Sequence, residues 1–179
     1  MQKFFTIFDI PPSRILLLIS IIFGIFIFVI KNPEPMYGDS GLMYLQTKQI
    51  ADSNFSTFAF DYKGSIYDKE GRYAPYTKPF LGKIGENYYI DFPPFFPLVN
   101  SIFFKWLNMR GLYLLSFLSL IGTLYMLVQI GKISNLNNKQ INLLLFLFSF
   151  CTTVPLYNFI FHEYPIAIFL FTISIYFII

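Results

Sequence analysis

One apolar run near the N-terminus, residues 15–30, constrains the fold more than any other feature of this sequence. It contains no charged residue and lies between Arg14 and Lys31. As an α-helix it would rise about 24 Å, close to the roughly 30 Å hydrocarbon core of a bilayer. Lys3 and Arg14 resemble the basic start of a signal peptide, but no small-residue cleavage site follows. We therefore predict an uncleaved signal anchor, with residues 1–14 cytoplasmic and 15–30 as the first transmembrane helix.

Further apolar stretches follow this anchor, at 92–107, 112–130, 141–161 and 165–179. The chain is 55% hydrophobic and only 13% charged, about half the charged share of soluble domains. These features predict an all-α fold, a polytopic transmembrane helical bundle, in which residues 92–179 supply about four more segments. Because the sequence stops inside an apolar run, we expect the last segment to be truncated and the chain to be the N-terminal fragment of something longer.

The distribution of basic residues fixes only part of the topology. Lys3 and Arg14 favour a cytoplasmic N-terminus and place residues 31–91 in a long loop on the external side. Two later turns, one after 92–107 and one after 112–130, each carry basic residues that favour the cytoplasm. Both turns cannot be cytoplasmic if both segments span, so one segment is expected to be tilted, re-entrant or interfacial. The predicted location is a multi-pass integral membrane protein, in a bacterial inner membrane or its equivalent.

Charge and cysteine content exclude some classes of function. The net charge is +3 and no basic stripe lies outside the membrane flanks, so nucleic acid is not a predicted partner. Cys151 is the single cysteine, so an intramolecular disulfide is impossible. No metal-binding motif occurs in the sequence.

The external loop, 31–91, is too long for a simple connection and is expected to carry function. Residues 42–51 predict a short interfacial helix on the membrane surface. Asp39 precedes that helix and follows the first membrane segment. It is the leading candidate for a general base. It is also a candidate ligand for a divalent cation, the one cofactor considered, whose presence the sequence does not decide. The alternative is that Asp39 or Ser40 only caps the helix.

Other polar residues are candidates for contact with a substrate. His162 and Glu163 lie at a break between two apolar runs, where polar residues are costly and often functional. They are candidates for contact with a metal, a phosphate or the acceptor, and the alternative is an interfacial turn whose polar groups face water. Lys78 and Lys83 are loop cations that suit a phosphate group, although loop lysines are usually only solvated. Tyr89, near the end of the loop, completes the set of candidate substrate-binding residues.

Three stretches together resemble the N-terminal part of the GT-C-type membrane glycosyltransferases, the group that includes the dolichyl-phosphate-mannose protein mannosyltransferases and the ArnT-like enzymes. The stretch YGDSGLMY at 37–44 resembles that family's acid after the first membrane helix. GENYYIDFPPFFPL at 85–98 resembles its loop end, where paired prolines open the second helix. LYNFIFHEYPIAIFL at 156–170 resembles a later segment, where a polar or acidic residue precedes a long apolar run.

The resemblance implies an enzyme that transfers a sugar from a polyprenyl-phosphate-linked donor to a protein, lipid or glycan acceptor at the outer face. Asp39 would be its catalytic acid, where family members often show a pair of acids and this chain has Asp39 followed by Ser40. Family proteins are also much longer, so the expected partners include the remainder of the enzyme or a second subunit, besides membrane lipid. The alternative is a non-enzymatic small membrane subunit or scaffold whose external loop binds a partner.

Overall fold

The computed structural model describes residues 9–30, 38–70, 72, 80–85 and 87–179, and these are mostly helical. The helices are α1 (Pro12–Ile25), α2 (Gly38–Asp52), α3 (Phe95–Leu107), α4 (Leu114–Ile133), α5 (Asn138–Cys151) and α6 (Tyr164–Ile178). Two strands, β1 (Leu81–Ile84) and β2 (Asn87–Ile90), form an antiparallel hairpin. The chain divides into two compact units, residues 1–33 with 113–179 and residues 34–112.

The first unit is built from α1, α4, α5 and α6. Its core consists of buried residues that recur at every fourth position, because residues four apart share one face of a helix. These residues are Ile15, Ile19 and Phe23 of α1, Leu120, Leu124 and Val128 of α4, and Ile141 and Leu145 of α5. Helix α1 is also apolar on its outer face, where Leu17, Leu18 and Ile21 are half exposed. A helix that is hydrophobic on all sides is typical of a membrane span.

Two helical segments of the described residues are long and apolar enough to cross a membrane, Pro12–Val29 and Phe95–Ile133. The first confirms the membrane-type helix predicted at 15–30, and its final turn, Phe26–Ile30, is π-helical. The second joins α3 and α4 through a 3₁₀ segment, Asn108–Tyr113. These lengths and compositions support association with a membrane.

The apolar stretch 141–161, expected as a span interrupted by Pro155 near its end, is divided into two elements. Helix α5 ends at Cys151, a 3₁₀ segment occupies Val154–Phe159, and α6 begins at Tyr164. Pro155 lies at the start of the 3₁₀ segment and has no backbone N–H with which to continue a helix. The α5 and α6 helices have 14 and 15 residues, which corresponds to about 21–23 Å, short of a bilayer core.

The second unit is formed by α2, α3 and the hairpin. Helix α2 is longer than the interfacial helix expected at 42–51, and most of its side chains on one face are buried rather than lying on a surface, among them Leu42, Met43 and Ile50. The hairpin packs on this helix through Leu81 and Ile90. It is a departure from an all-helical chain, and it lies within the predicted external loop.

The start of α5 has a capping box. The Asn137 side chain accepts a hydrogen bond from the Gln140 backbone N–H at 3.0 Å, and the Gln140 side chain accepts one from the Asn137 backbone N–H at 2.9 Å. We expect Asn137→Ala to destabilise the protein by about 1 kcal/mol, the usual cost of losing such a cap. Thermal unfolding measured by circular dichroism would test this. Asn138→Ala is the matched control, since Asn138 is the next residue and exposed; an equal loss in both variants would contradict the capping role.

Candidate functional site

Asp39 lies in the first turn of α2 and is exposed. The helix begins one residue earlier, at Gly38, whose φ of 57° is a conformation that glycine adopts without strain. Asp39 is therefore inside the first turn rather than at the residue before the helix, and Ser40 is buried. A carboxylate in this position is favoured by the positive end of the helix dipole. It remains accessible to a ligand from solvent.

Among the described residues, Lys83 and Tyr89 do not form one cluster. Lys83 is exposed on β1, and its ammonium lies 5.5 Å from the centre of the Tyr88 ring. Tyr89 follows Tyr88 on β2, so its side chain points to the opposite face of the hairpin. Lys78 lies outside the described residues. Lys83 and Tyr89 therefore do not face one ligand from the same side of the hairpin.

His162 and Glu163 belong to the first unit, in the short turn before α6. His162 Nδ1 and Glu163 Oε2 are 3.0 Å apart, although the two groups are not aligned as a hydrogen bond. The imidazole stacks on the Tyr164 ring, with the ring centres 3.9 Å apart and the planes at 4°. The side chain of His162 is 12% exposed and that of Glu163 is 45% exposed. The histidine is therefore held by an aromatic neighbour, and the Glu163 side chain is partly exposed although its Oε2 atom is buried.

A hydrogen-bonded aromatic group that the sequence did not predict lies in the second unit. Tyr62 donates its phenolic hydrogen to Asp68 Oδ2 at 3.1 Å, and Asp68 Oδ1 accepts the Arg72 backbone N–H at 2.8 Å. The Tyr62 and Tyr88 rings meet edge to face, with centres 5.9 Å apart. The Phe60 backbone N–H donates to the Tyr88 carbonyl at 2.6 Å, which ties this segment to the hairpin. The loop tyrosines were visible in the sequence, but nothing in their spacing indicated these partners.

Tyr62 is expected to ionise at a higher pH than an ordinary tyrosine. Desolvation raises the pKa of Tyr62 above its usual value of 10.0, and the hydrogen bond to Asp68 and the negative charge of that carboxylate raise it further. Because the folded pKa is the higher one, the stabilisation is present at neutral pH and is lost as the pH rises through that raised pKa. Ultraviolet titration of tyrosinate would show that Tyr62→Phe removes a component that ionises later than an ordinary tyrosine. A lost component that titrates at or below the usual value would contradict this prediction.

No group of three or more His, Cys, Asp or Glu side chains that could hold a metal ion occurs among the described residues. A divalent cation at Asp39 would need oxygen ligands from the substrate or from another polypeptide, since such cations take six or more oxygens. Cys151 is a free, exposed thiol at the end of α5. No protein-family model, curated protein or solved structure matches this chain.

Proposed function

We propose that this chain is the N-terminal portion of a multi-pass membrane glycosyltransferase, which moves a sugar from a polyprenyl-phosphate donor to a protein, lipid or glycan acceptor on the external side. The position of Asp39 carries the proposal. It is an exposed carboxylate in the first turn of α2, and only residues 31–37 separate α2 from the first membrane-type helix and its final turn in the sequence. In this proposal Asp39 acts at the membrane edge, where the phosphate of a lipid-linked substrate also lies.

The role of Asp39 in this proposal is that of a general base. The carboxylate accepts the proton of the acceptor hydroxyl as the acceptor oxygen attacks the sugar, and the polyprenyl phosphate leaves. A positioned base of this kind typically contributes about 10²–10⁴-fold to a rate. Lys83 and, outside the described residues, Lys78 remain candidates for contact with the phosphate, because ammonium groups pair with phosphate oxygens.

An apolar groove in the first unit supports a prenyl-linked donor. It has a volume of about 280 Å³ and lies between α1, the end of α5 and the 3₁₀ segment that follows α5. Its walls are mostly apolar and are formed by Ile22, Phe23, Phe26, Ser149, Phe150, Thr152, Pro155, Leu156 and Phe159. A groove of this chemistry beside a membrane-type helix suits a hydrocarbon chain, such as that of a polyprenyl carrier.

A second candidate function, a non-enzymatic membrane subunit, is favoured by apolar side chains on the second unit. Ile66, Tyr67 and Ile84 are 76%, 93% and 70% exposed, and none of them lies in a candidate membrane span. Exposed apolar residues outside a membrane span are a feature of interaction surfaces. In this alternative Asp39 would be replaceable by Ser or Asn at little cost.

An assay of sugar transfer tests the proposal. Membranes that contain the full-length gene product would be incubated with synthetic polyprenyl phosphates bearing tritiated mannose, glucose or aminoarabinose. Incorporation of label into protein, lipid or glycan above that of membranes without the protein is the expected result. Absence of incorporation from every donor, together with recovery of a stable partner through the external loop, would replace the transferase proposal with the subunit.

A further inference from the structure

A polar cleft in the second unit has no part in the transfer chemistry proposed above. It has a volume of about 300 Å³, is open to solvent, and is bordered by α2, the segment that follows it and the start of β2. The residues that line it are Gln49, Thr57, Ala59, Phe60, Asp61, Tyr62, Ser65, Asn87 and Tyr88. Ligand sites begin at about this size and combine aromatic walls with a few polar groups.

The polar groups around the cleft are available to a ligand. No hydrogen bond or ion pair joins the side chains of Gln49, Asp61, Ser65 or Asn87 to another part of the chain that the structure describes. Two of these are amides, which both donate and accept, one is a carboxylate that only accepts, and one is a hydroxyl that does both. This is a mixed set of donors and acceptors with a single charged group.

That composition discriminates between classes of ligand. Among the described residues that line the cleft none is a lysine or an arginine, and the Lys83 ammonium, 5.5 Å from the centre of the Tyr88 ring, is a single cation beside it, so a phosphate or another anion would have few of its usual cationic partners. Asp61 is the single acid in the lining, which is too few carboxylates for a divalent cation. A neutral ligand with many hydroxyl groups matches both the mixed hydrogen-bonding groups and the aromatic side chains of Phe60, Tyr62 and Tyr88.

The aromatic wall of the cleft is held in place by its own contacts. Tyr62 is fixed by its hydrogen bond to Asp68, and Tyr88 is fixed in the hairpin and meets the Tyr62 ring edge to face. Phe60 is paired to Tyr88 through the backbone. Rings that are already ordered lose little conformational entropy when a ligand packs against them, which favours binding.

We infer that this cleft binds a neutral saccharide, with Asp61, Gln49 and Asn87 hydrogen-bonding its hydroxyl groups and the aromatic side chains packing on its apolar face. Gln49 lies ten positions after Asp39 on α2, a separation of about 15 Å along the helix axis. The cleft is therefore a saccharide site separate from the carboxylate assigned to catalysis. The inference holds whether or not the chain transfers sugar, because binding needs none of the chemistry at Asp39.

Saturation-transfer difference NMR with the full chain tests this inference. The protein would be held in phospholipid nanodiscs free of maltoside detergent, because the maltoside headgroup is itself a saccharide. The probes would be the methyl glycosides of mannose, glucose, galactose and N-acetylglucosamine, with inorganic phosphate as a competitor. We expect at least one glycoside to receive saturation and phosphate not to displace it. No saturation of any glycoside, or displacement by phosphate, would overturn the inference.

Matched variants locate the binding. Asp61→Asn and Gln49→Ala are each expected to weaken the glycoside that binds by about tenfold, the effect of losing roughly 1.4 kcal/mol of hydrogen bonding. Asp52→Asn makes the same change as Asp61→Asn, and Lys48→Ala shortens a long side chain next to Gln49. Both positions are exposed on α2 outside the cleft, so both variants should leave the affinity unchanged. Equal affinity in all four variants would place the saccharide elsewhere. Asp39→Asn is expected to bind normally, so a failure of transfer and a failure of binding are distinguishable.

Discussion

Asp39→Asn is expected to lower the rate of sugar transfer by at least about 100-fold, the smaller end of what a positioned base contributes. The substitution keeps the size and shape of the side chain but replaces the carboxylate with an amide, which cannot accept a proton as a base. Because Asp39 is exposed in the first turn of α2, the loss of its helix-dipole interaction should cost only about 0.3–1 kcal/mol of stability. The activity should therefore fall far more than the folding. Initial rates with the labelled polyprenyl-phosphate donor, normalised to protein level, measure the effect.

Two further variants sharpen this experiment. Asp39→Glu keeps the carboxylate but moves it by one methylene, so partial activity is expected. Asp52→Asn makes the same change from acid to amide at the other end of the same helix, where Asp52 is exposed, and should leave transfer intact. Wild-type transfer by Asp39→Asn would remove Asp39 from the mechanism. Loss of transfer by both Asn variants would indicate a general requirement for acidic residues on α2 rather than a base.

The helices could be predicted from apolar runs, but their ends could not. The apolar run 15–30 lies within α1 and the π-helical turn that follows it. The paired prolines at 93–94 directly precede α3, which begins at Phe95. The stretch 141–161 was divided because Pro155 and the residues before it start a separate 3₁₀ segment. Thr152, Thr153 and Asn158 lower the hydrophobicity across that break. Pro155 is the second signal, because it cannot continue a helix.

The sequence contained a turn residue for the hairpin but no clear pattern for its two strands. Glycine is a residue typical of turns, and Gly85 has a positive φ of 63°. A two-residue turn with glycine first is typical of a hairpin. The flanking segments, Leu81–Ile84 and Asn87–Ile90, do not alternate cleanly between apolar and polar residues, so they did not indicate strands. Their pairing depends on packing against Leu42 of α2, which is a contact distant in sequence.

Some features of the candidate site residues follow from local sequence, and others follow only from the folded chain. The exposure of Asp39 and the proximity of His162 to Glu163 follow from local sequence, because each lies at the edge of a helix. The opposite orientations of Lys83 and Tyr89 follow only from the strand pairing, in which Lys83 faces Tyr88. The saccharide cleft joins Gln49, Asp61 and Asn87 from three separate segments. Nothing in the sequence relates these three residues to one another before the chain is folded.

Gly111→Ala is expected to be the most destabilising small substitution in the second unit. Gly111 lies in the 3₁₀ segment that follows α3, where the chain turns back on itself at Asn108, whose φ is +52°. A Cβ atom at Gly111 would lie 2.2 Å from the Phe103 carbonyl oxygen and 2.5 Å from its carbonyl carbon. Both atoms belong to the backbone of α3, so no side-chain rotation can relieve the overlap.

The magnitude follows from the atoms involved. Overpacking against movable side chains typically costs about 1–3 kcal/mol, and a backbone obstacle places Gly111→Ala at or above about 3 kcal/mol on that scale. Gly82→Ala is the matched control, because a Cβ there would meet Asp91 Oδ1 at 3.4 Å, an ordinary contact. Thermal unfolding in detergent, followed by circular dichroism, should show a large loss for Gly111→Ala and a change within about 0.5 kcal/mol for Gly82→Ala. Equal stability of the two variants would show that the turn after α3 does not require a residue without a Cβ atom.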